Sequence, residues 1–144
     1  MLYFDTSFLA PLIIPELSSR EVSTFMQRLS EQQRTVSHWN RVEFSSILAR
    51  RVRTGELDAK GAMRADTQFE AMLEANFDVV LPGSDDFDLA KQYLARFETG
   101  LRSGDALHLA IGANRRARVI YSLDKGLVKA AKILGLPAET GIAV

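Results

Sequence analysis

Four acidic residues, Asp5, Glu43, Asp105 and Asp124, stand far apart in the chain, yet each falls at a strand end or near the start of a helix. Carboxylates brought within a few ångströms of one another repel and raise one another's pKa values. Such a cluster stays ionised at neutral pH when divalent cations neutralise it, and oxygen-only ligands suit hard cations such as Mg²⁺. Each acid also has an ordinary structural explanation. Asp5 follows the apolar run Met1-Leu-Tyr-Phe and can cap a helix. Glu43 lies between Val42 and Phe44, where an unpaired glutamate is costly, and Arg41, Arg50 and Arg51 are candidate partners. Asp105 opens Asp-Ala-Leu-His-Leu-Ala-Ile and gains from the helix macrodipole, while Asp124 has the same capping position after an apolar strand. Capping leaves the recurrence unexplained. Three acids at strand-to-helix junctions or helix starts, with a fourth on a helix face, project toward one end of a parallel sheet, the edge where ligands bind in such folds.

The elements that must position them follow from periodicity and punctuation. Met1 to Asp5 reads as a short buried strand, with Thr6 and Ser7 as candidate caps for a helix from Phe8 to Ile14 that Pro15 ends. Ser18 or Ser19 opens a second helix reaching about Gln32, and Arg34 to Ser37 makes a strand closed by His38 and Trp39. A long helix runs from Asn40 to Gly55, and another follows Asp58 to about Ala75. Phe77 to Leu81 is a strand, Asp85 or Asp86 caps a helix through about Phe97, and Asp105 to Arg115 is helical after a loop at Gly100 to Gly104. Val119 to Ser122, Asp124 to Leu134 and Gly141 to Val144 complete the pattern as strand, helix and edge strand. Strands alternating with helices imply an α/β fold whose parallel sheet is covered on both faces.

With 144 residues and 47% hydrophobic content the chain can bury a real core without staples. Cysteine is absent, which excludes disulfides and thiolate metal sites, makes zinc an unsuitable metal and agrees with a reducing cytoplasm. The formal charge is zero, 18 basic against 18 acidic residues, so any nucleic-acid contact must use local basic patches. Arg50, Arg51 and Arg53 form one such group and Arg115, Arg116 and Arg118 another, although helix ends attract cations in any case. The apolar run Phe8 to Ile14 is too short to span a bilayer, so a soluble cytoplasmic protein is expected. His108 shares a helical face with Asp105 and is open between a core histidine and a contact with substrate or acid. His38 and Trp39 are open between stacking on a base and ordinary packing. The apolar faces of the helices at Ser18 to Gln32 and Leu57 to Leu73 exceed what one sheet face covers. Dimerisation, docking of a partner protein and plain core packing all fit that excess.

Four segments carry a resemblance: Tyr-Phe-Asp5-Thr-Ser-Phe-Leu, Trp-Asn-Arg-Val-Glu43-Phe-Ser-Ser-Ile-Leu-Ala-Arg-Arg, Leu-Arg-Ser-Gly-Asp105-Ala-Leu-His-Leu-Ala and Ile-Tyr-Ser-Leu-Asp124-Lys-Gly-Leu. In order and spacing they resemble PIN domains, specifically the VapC-type toxins, across nearly the whole chain. That resemblance implies one three-layer α/β/α domain over residues 1–144, with a central parallel sheet of four to five strands. It further implies a Mg²⁺- or Mn²⁺-dependent endoribonuclease, an RNA substrate and a cognate antitoxin that blocks the site; a homodimer is expected beside it from the apolar helix faces. The family's acidic ligands fall on Asp5, Glu43, Asp105 and Asp124, with Thr6 or Ser7 at the polar position after the first acid and His108 beside them. Asp5 and Asp105 are expected as primary ligands, Glu43 as a ligand or a base acting through water, and Asp124 on a second-metal or water-mediated side. Ser103-Gly104 departs from the alanine-like residues frequent there, and Phe8 and Ile13-Ile14 vary the first helix. Two rival readings are a PIN-like RNA- or antitoxin-binding module without turnover and a metal-dependent phosphatase. For the phosphatase Lys125 is the only nearby phosphate-binding lysine, and no glycine-rich phosphate loop is present.

Overall fold

Leu2, Tyr3 and Phe4 are almost wholly buried, because the strand they form, β1 (Leu2–Phe4), lies in the middle of the sheet and is covered on both faces. The computed structural model describes residues 1–29 and 33–144. Its sheet runs β3 (Asp78–Val80), β2 (Arg34–Ser37), β1, β4 (Val119–Tyr121), β5 (Ala138–Glu139), with every neighbouring pair parallel. Parallel neighbours need crossovers. These are supplied by α1 (Thr6–Leu9), α2 (Ser19–Arg28), α3 (His38–Arg53), α4 (Ala59–Asn76), α5 (Ser84–Leu94), α6 (Ser103–Asn114) and α7 (Lys125–Ile133).

Side chains alternate across a strand, so β1 feeds two cores. Leu2 and Phe4 join Phe8, Val22, Phe44 and Phe69 from α1 to α4, while Tyr3 joins Leu109, Ile111 and Leu127 from α6 and α7. Two contacts fix the helices that carry the acids. The rings of Phe44 and Phe69 stack with centroids 4.0 Å apart, clamping α3 to α4 beside Glu43. On the other face, a Cβ at Gly112 would meet Ile120 Cδ1 at 2.7 Å, so only glycine lets α6 lie this close to β4.

The expected α/β architecture and its parallel sheet are present, with five strands. Several boundaries differ for local reasons. Asp5 caps the first helix, accepting from Phe8 N, so Thr6 and Ser7 lie inside it, and the chain continues past Pro11 as a 3₁₀ turn at Ala10–Leu12. The second helix ends at Arg28, where Leu29 turns extended; its expected continuation at residues 30–32 lies outside the described residues. His38 and Trp39 open α3 instead of closing β2, because Ser37 caps the helix and Asn40 reaches back to the Ser37 N–H. Gly83, not Asp85 or Asp86, is the residue before α5; Asp86 sits inside the first turn and accepts the Gly83 N–H. That helix stops at Leu94, short of Phe97. The last strand is Ala138–Glu139, earlier than Gly141 to Val144, because the Pro137 carbonyl already pairs with Ile120 N and Gly141 bends the chain at φ 68°.

Candidate active site

Asp5 leaves the carboxyl end of β1 and is 3% exposed. Its Oδ1 accepts from Phe8 N at 3.1 Å and from Ser7 Oγ at 2.7 Å, and its Oδ2 accepts from Ser122 Oγ at 2.6 Å. Burial pushes its pKa up, and the charge of His108 and these donors pull against that rise. Asp124 follows β4 and caps α7 through Oδ1, which accepts from Gly126 N and Leu127 N, leaving Oδ2 uncommitted to the helix. Asp105 lies in the first turn of α6. Burial and the negative charges of Asp124 and Asp5 push it up to about 6. Glu43 reaches in from α3; its Oε1 accepts from Thr6 Oγ1 at 2.6 Å and makes a very short contact with His108 Nε2. Burial alone would raise Glu43, but the hydrogen bond and charge of His108 outweigh it, and the net shift is downward.

All four acids, with Thr6, Ser7 and His108, line one pocket of about 350 Å³ at the carboxyl end of the sheet. His108 is buried at 1% exposure, and Glu43, Asp5 and Asp105 raise its pKa against the opposing effect of burial. Arg102 overhangs the mouth, with Nε 4.0 Å from Asp105 Oδ2 and Nη2 4.0 Å from Asp124 Oδ2. Arg50, two turns along α3 from Glu43, lines the other rim. Trp39 packs against the core of α6 and α7 rather than standing free as a stacking platform, and His38 is tied to Arg41. Arg115 binds Asp86 and is thereby committed away from the acidic pocket.

Sequence reading passed over Ser122 and Arg102. Ser122 Oγ is an anchor shared by two acids, donating to Asp5 Oδ2 and accepting from Asp124 N at 3.1 Å. Its signal was a hydroxyl two residues before a strand-end acid. Arg102 carried the signal of a cation three residues ahead of an acid at a helix start.

The donor set here is carboxylate and hydroxyl oxygen, with no thiolate and with the buried imidazole already engaged, which suits Mg²⁺ or Mn²⁺ better than zinc. Among the described residues no three His, Asp or Glu side chains are placed so as to hold a metal ion together, and the four carboxylates line the pocket without converging on one point. Asp124 Oδ2 and the Asp105 carboxylate, which Arg102 approaches no closer than 4.0 Å, are oxygens a cation could take, and it would relieve the burial and repulsion that lift Asp105.

Residues 2–133 match the family model described as the PIN domain. The chain belongs to the PIN domain family. Solved structures share the fold. One is VapC20 of Mycobacterium tuberculosis, described as a Sarcin-Ricin loop cleaving toxin, with TM-score 0.74 at 19% identity over 94% of this chain and 96% of that one. FitAcB from Neisseria gonorrhoeae gives 0.71 at 15% identity over 98% of both chains. A toxin–antitoxin complex from Klebsiella pneumoniae gives 0.64 at 17% identity over 100% of both. No curated protein matches the sequence.

Proposed function

We propose that this PIN domain protein is a divalent-metal-dependent endoribonuclease and the toxin of a toxin–antitoxin pair. The observation that carries the reading is the convergence of Asp5, Glu43, Asp105 and Asp124, from four distant segments, on one pocket where burial and the charges of Asp124 and Asp5 lift Asp105 to about 6. Asp5 and Asp105 are the proposed primary ligands of Mg²⁺ or Mn²⁺, Asp124 serves a second or water-mediated side, and Glu43 is a ligand or a base acting through water. A bound cation there supplies charge neutralisation for the phosphoryl oxygens and lowers the pKa of water. The chain's own residues do the remainder. Ser7 and Ser122 hold the Asp5 carboxylate, Thr6 and His108 hold Glu43, and Arg50 and Arg102 stand at the rim where flanking phosphates of an RNA strand would pass. Attack by water on phosphorus leaves 5′-phosphate and 3′-hydroxyl ends.

The structural neighbours that are toxin–antitoxin complexes support a cognate antitoxin as partner. Its proposed seat is a groove of about 310 Å³ between α2 and α4, lined by Leu12, Met26, Met72 and Phe77 with Arg34 at its edge. A homodimer and a cytoplasmic location complete the proposal; among the described residues no helix is long and apolar enough to cross a membrane.

The deciding experiment incubates structured RNAs with the protein in Mg²⁺ or Mn²⁺. Cleavage abolished by chelator and by Asp5→Asn or Asp105→Asn, with folding intact, is the expected result. Undiminished cleavage by either variant would remove the assigned roles, and binding of RNA without cutting would leave a binding module.

A further inference from the structure

Behind the Glu43–His108 contact runs a series of buried hydrogen bonds whose directions can be read from one end. Asn40 Nδ2 donates to the Phe4 carbonyl at 3.0 Å, and Asn40 Oδ1 accepts the Ser37 main-chain N–H at 2.8 Å. A main-chain N–H can only donate, so the amide is oriented. The Ser37 hydroxyl gives its single hydrogen to Asn40 Oδ1 at 3.2 Å, which leaves its lone pairs for the Tyr3 hydroxyl, donating at 3.2 Å. Tyr3 has then spent its hydrogen. It can meet His108 Nδ1, 2.8 Å away, only as an acceptor, so Nδ1 carries a hydrogen. Tyr3, Ser37 and Asn40 are 0% exposed, and no bulk water reaches them to offer another arrangement.

We propose that His108 is a positioning residue: the relay of Asn40, Ser37 and Tyr3 holds its Nδ1–H, and its Nε2 pins Glu43 Oε1 so that Glu43 offers the pocket Oε2 alone. Thr6 secures the same Oε1 from the opposite element, α1. The root of the relay is the carbonyl of the residue preceding Asp5, so the main chain of β1 sets the placement of both carboxylates. Asp5 is carried by it directly, Glu43 through four side chains. The inference rests on Glu43 belonging to the cation site proposed above, and the relay itself can be tested without a cation.

The first measurement is the long-range ¹H–¹⁵N spectrum of the imidazoles in metal-free protein. The chain has two histidines, and a His38→Gln variant identifies the other ring. The expected result is a protonated Nδ1 on His108, lost or mixed in Tyr3→Phe; an unprotonated Nδ1 accepting from Tyr3 in the native protein would overturn the relay. The second measurement is Mn²⁺ affinity by calorimetry. A glutamine at 108 places its amide nitrogen near the position of Nε2, an asparagine near that of Nδ1. His108→Gln keeps a donor to Glu43 Oε1 but loses the relay, and Tyr3→Phe loses the relay alone, so both should weaken affinity to a similar degree, about tenfold. His108→Asn loses the contact with Glu43 and should weaken it by up to about a hundredfold, as loss of groups behind a metal ligand does. Native affinity in folded His108→Asn would overturn the positioning role. Absence of Mn²⁺ binding to the native protein, with the Nδ1–H signature in place, would sink the cation reading and leave the relay standing.

Discussion

Gly104 lies so close to Glu43 that a Cβ at position 104 would stand 3.0 Å from Glu43 Oε2. The same point is 3.5 Å from Trp39 Nε1, a buried N–H whose nearness to Glu43 helps to lower that carboxyl's pKa. Glu43 cannot swing aside freely, since Thr6 and His108 hold its other oxygen. The departure from an alanine-like residue at this place therefore leaves room for the one oxygen that Glu43 can present.

Gly104→Ala should separate stability from activity. Alanine gains up to about 1 kcal/mol of helix propensity near the start of α6. Displacement of Oε2 should cost about tenfold to a hundredfold in RNA cleavage, the scale of a misplaced catalytic group. Thermal unfolding and cleavage rates measured together check this; full activity would show that Oε2 does not need the space.

Asp105→Asn should stabilise the metal-free protein at pH 8. The folded-state pKa of Asp105, about 6, exceeds the ordinary 3.8, so the folded form binds more protons between those values. The stability associated with this group is greatest at low pH and is lost as pH rises through 6. The variant escapes that loss, by about 1 kcal/mol after allowance for partial exposure, and its advantage should close below pH 3.8. Denaturant unfolding from pH 3 to 8 measures it. Saturating Mg²⁺ should reverse the order, because a cation that binds only the folded state stabilises it.

Cation affinity should follow the same group. A divalent ion competes with the proton on Asp105, so Mn²⁺ affinity should rise by up to about tenfold per unit below pH 6 and level off above it. Calorimetric titration across that range gives the slope, and a flat profile would exclude Asp105 from the ligand set.

Ser122→Ala should cost about 1–3 kcal/mol, since it strips a donor from buried Asp5 Oδ2 and an acceptor from Asp124 N together. With less support for its charged form, Asp5 should titrate still higher and bind Mn²⁺ more weakly. Chemical denaturation and Mn²⁺ titration of the variant would reveal both effects; unchanged affinity would separate Ser122 from the site.

Much of the architecture was legible because its signals are local. The apolar run ahead of Asp5, the Asp58 cap and the Gly55 stop each act within a few residues, and β2 falls on Arg34 to Ser37 as read. The start of α3 was misplaced because Asn40 plays the reciprocal capping part usually given to Glu or Gln. The final strand was misplaced because its pairing is decided by β4, not by its own composition. The four acids were visible as strand-end and helix-start residues. What holds them was not, because the Tyr3–His108 contact spans 105 positions and the Asp5–Ser122 contact 117, distances at which a sequence carries no periodic signal.

The Asp5–Ser122 contact also bears on how the protein is made. Until Val119 to Asp124 have left the ribosome and β4 has inserted beside β1, the first acid lacks both the Ser122 donor and the carboxylate of Asp124. A stalled or truncated product ending before β4 would carry Asp5 with its Oδ2 unsupported and the pocket one carboxylate short. Completion of the site is thereby tied to the last third of the chain.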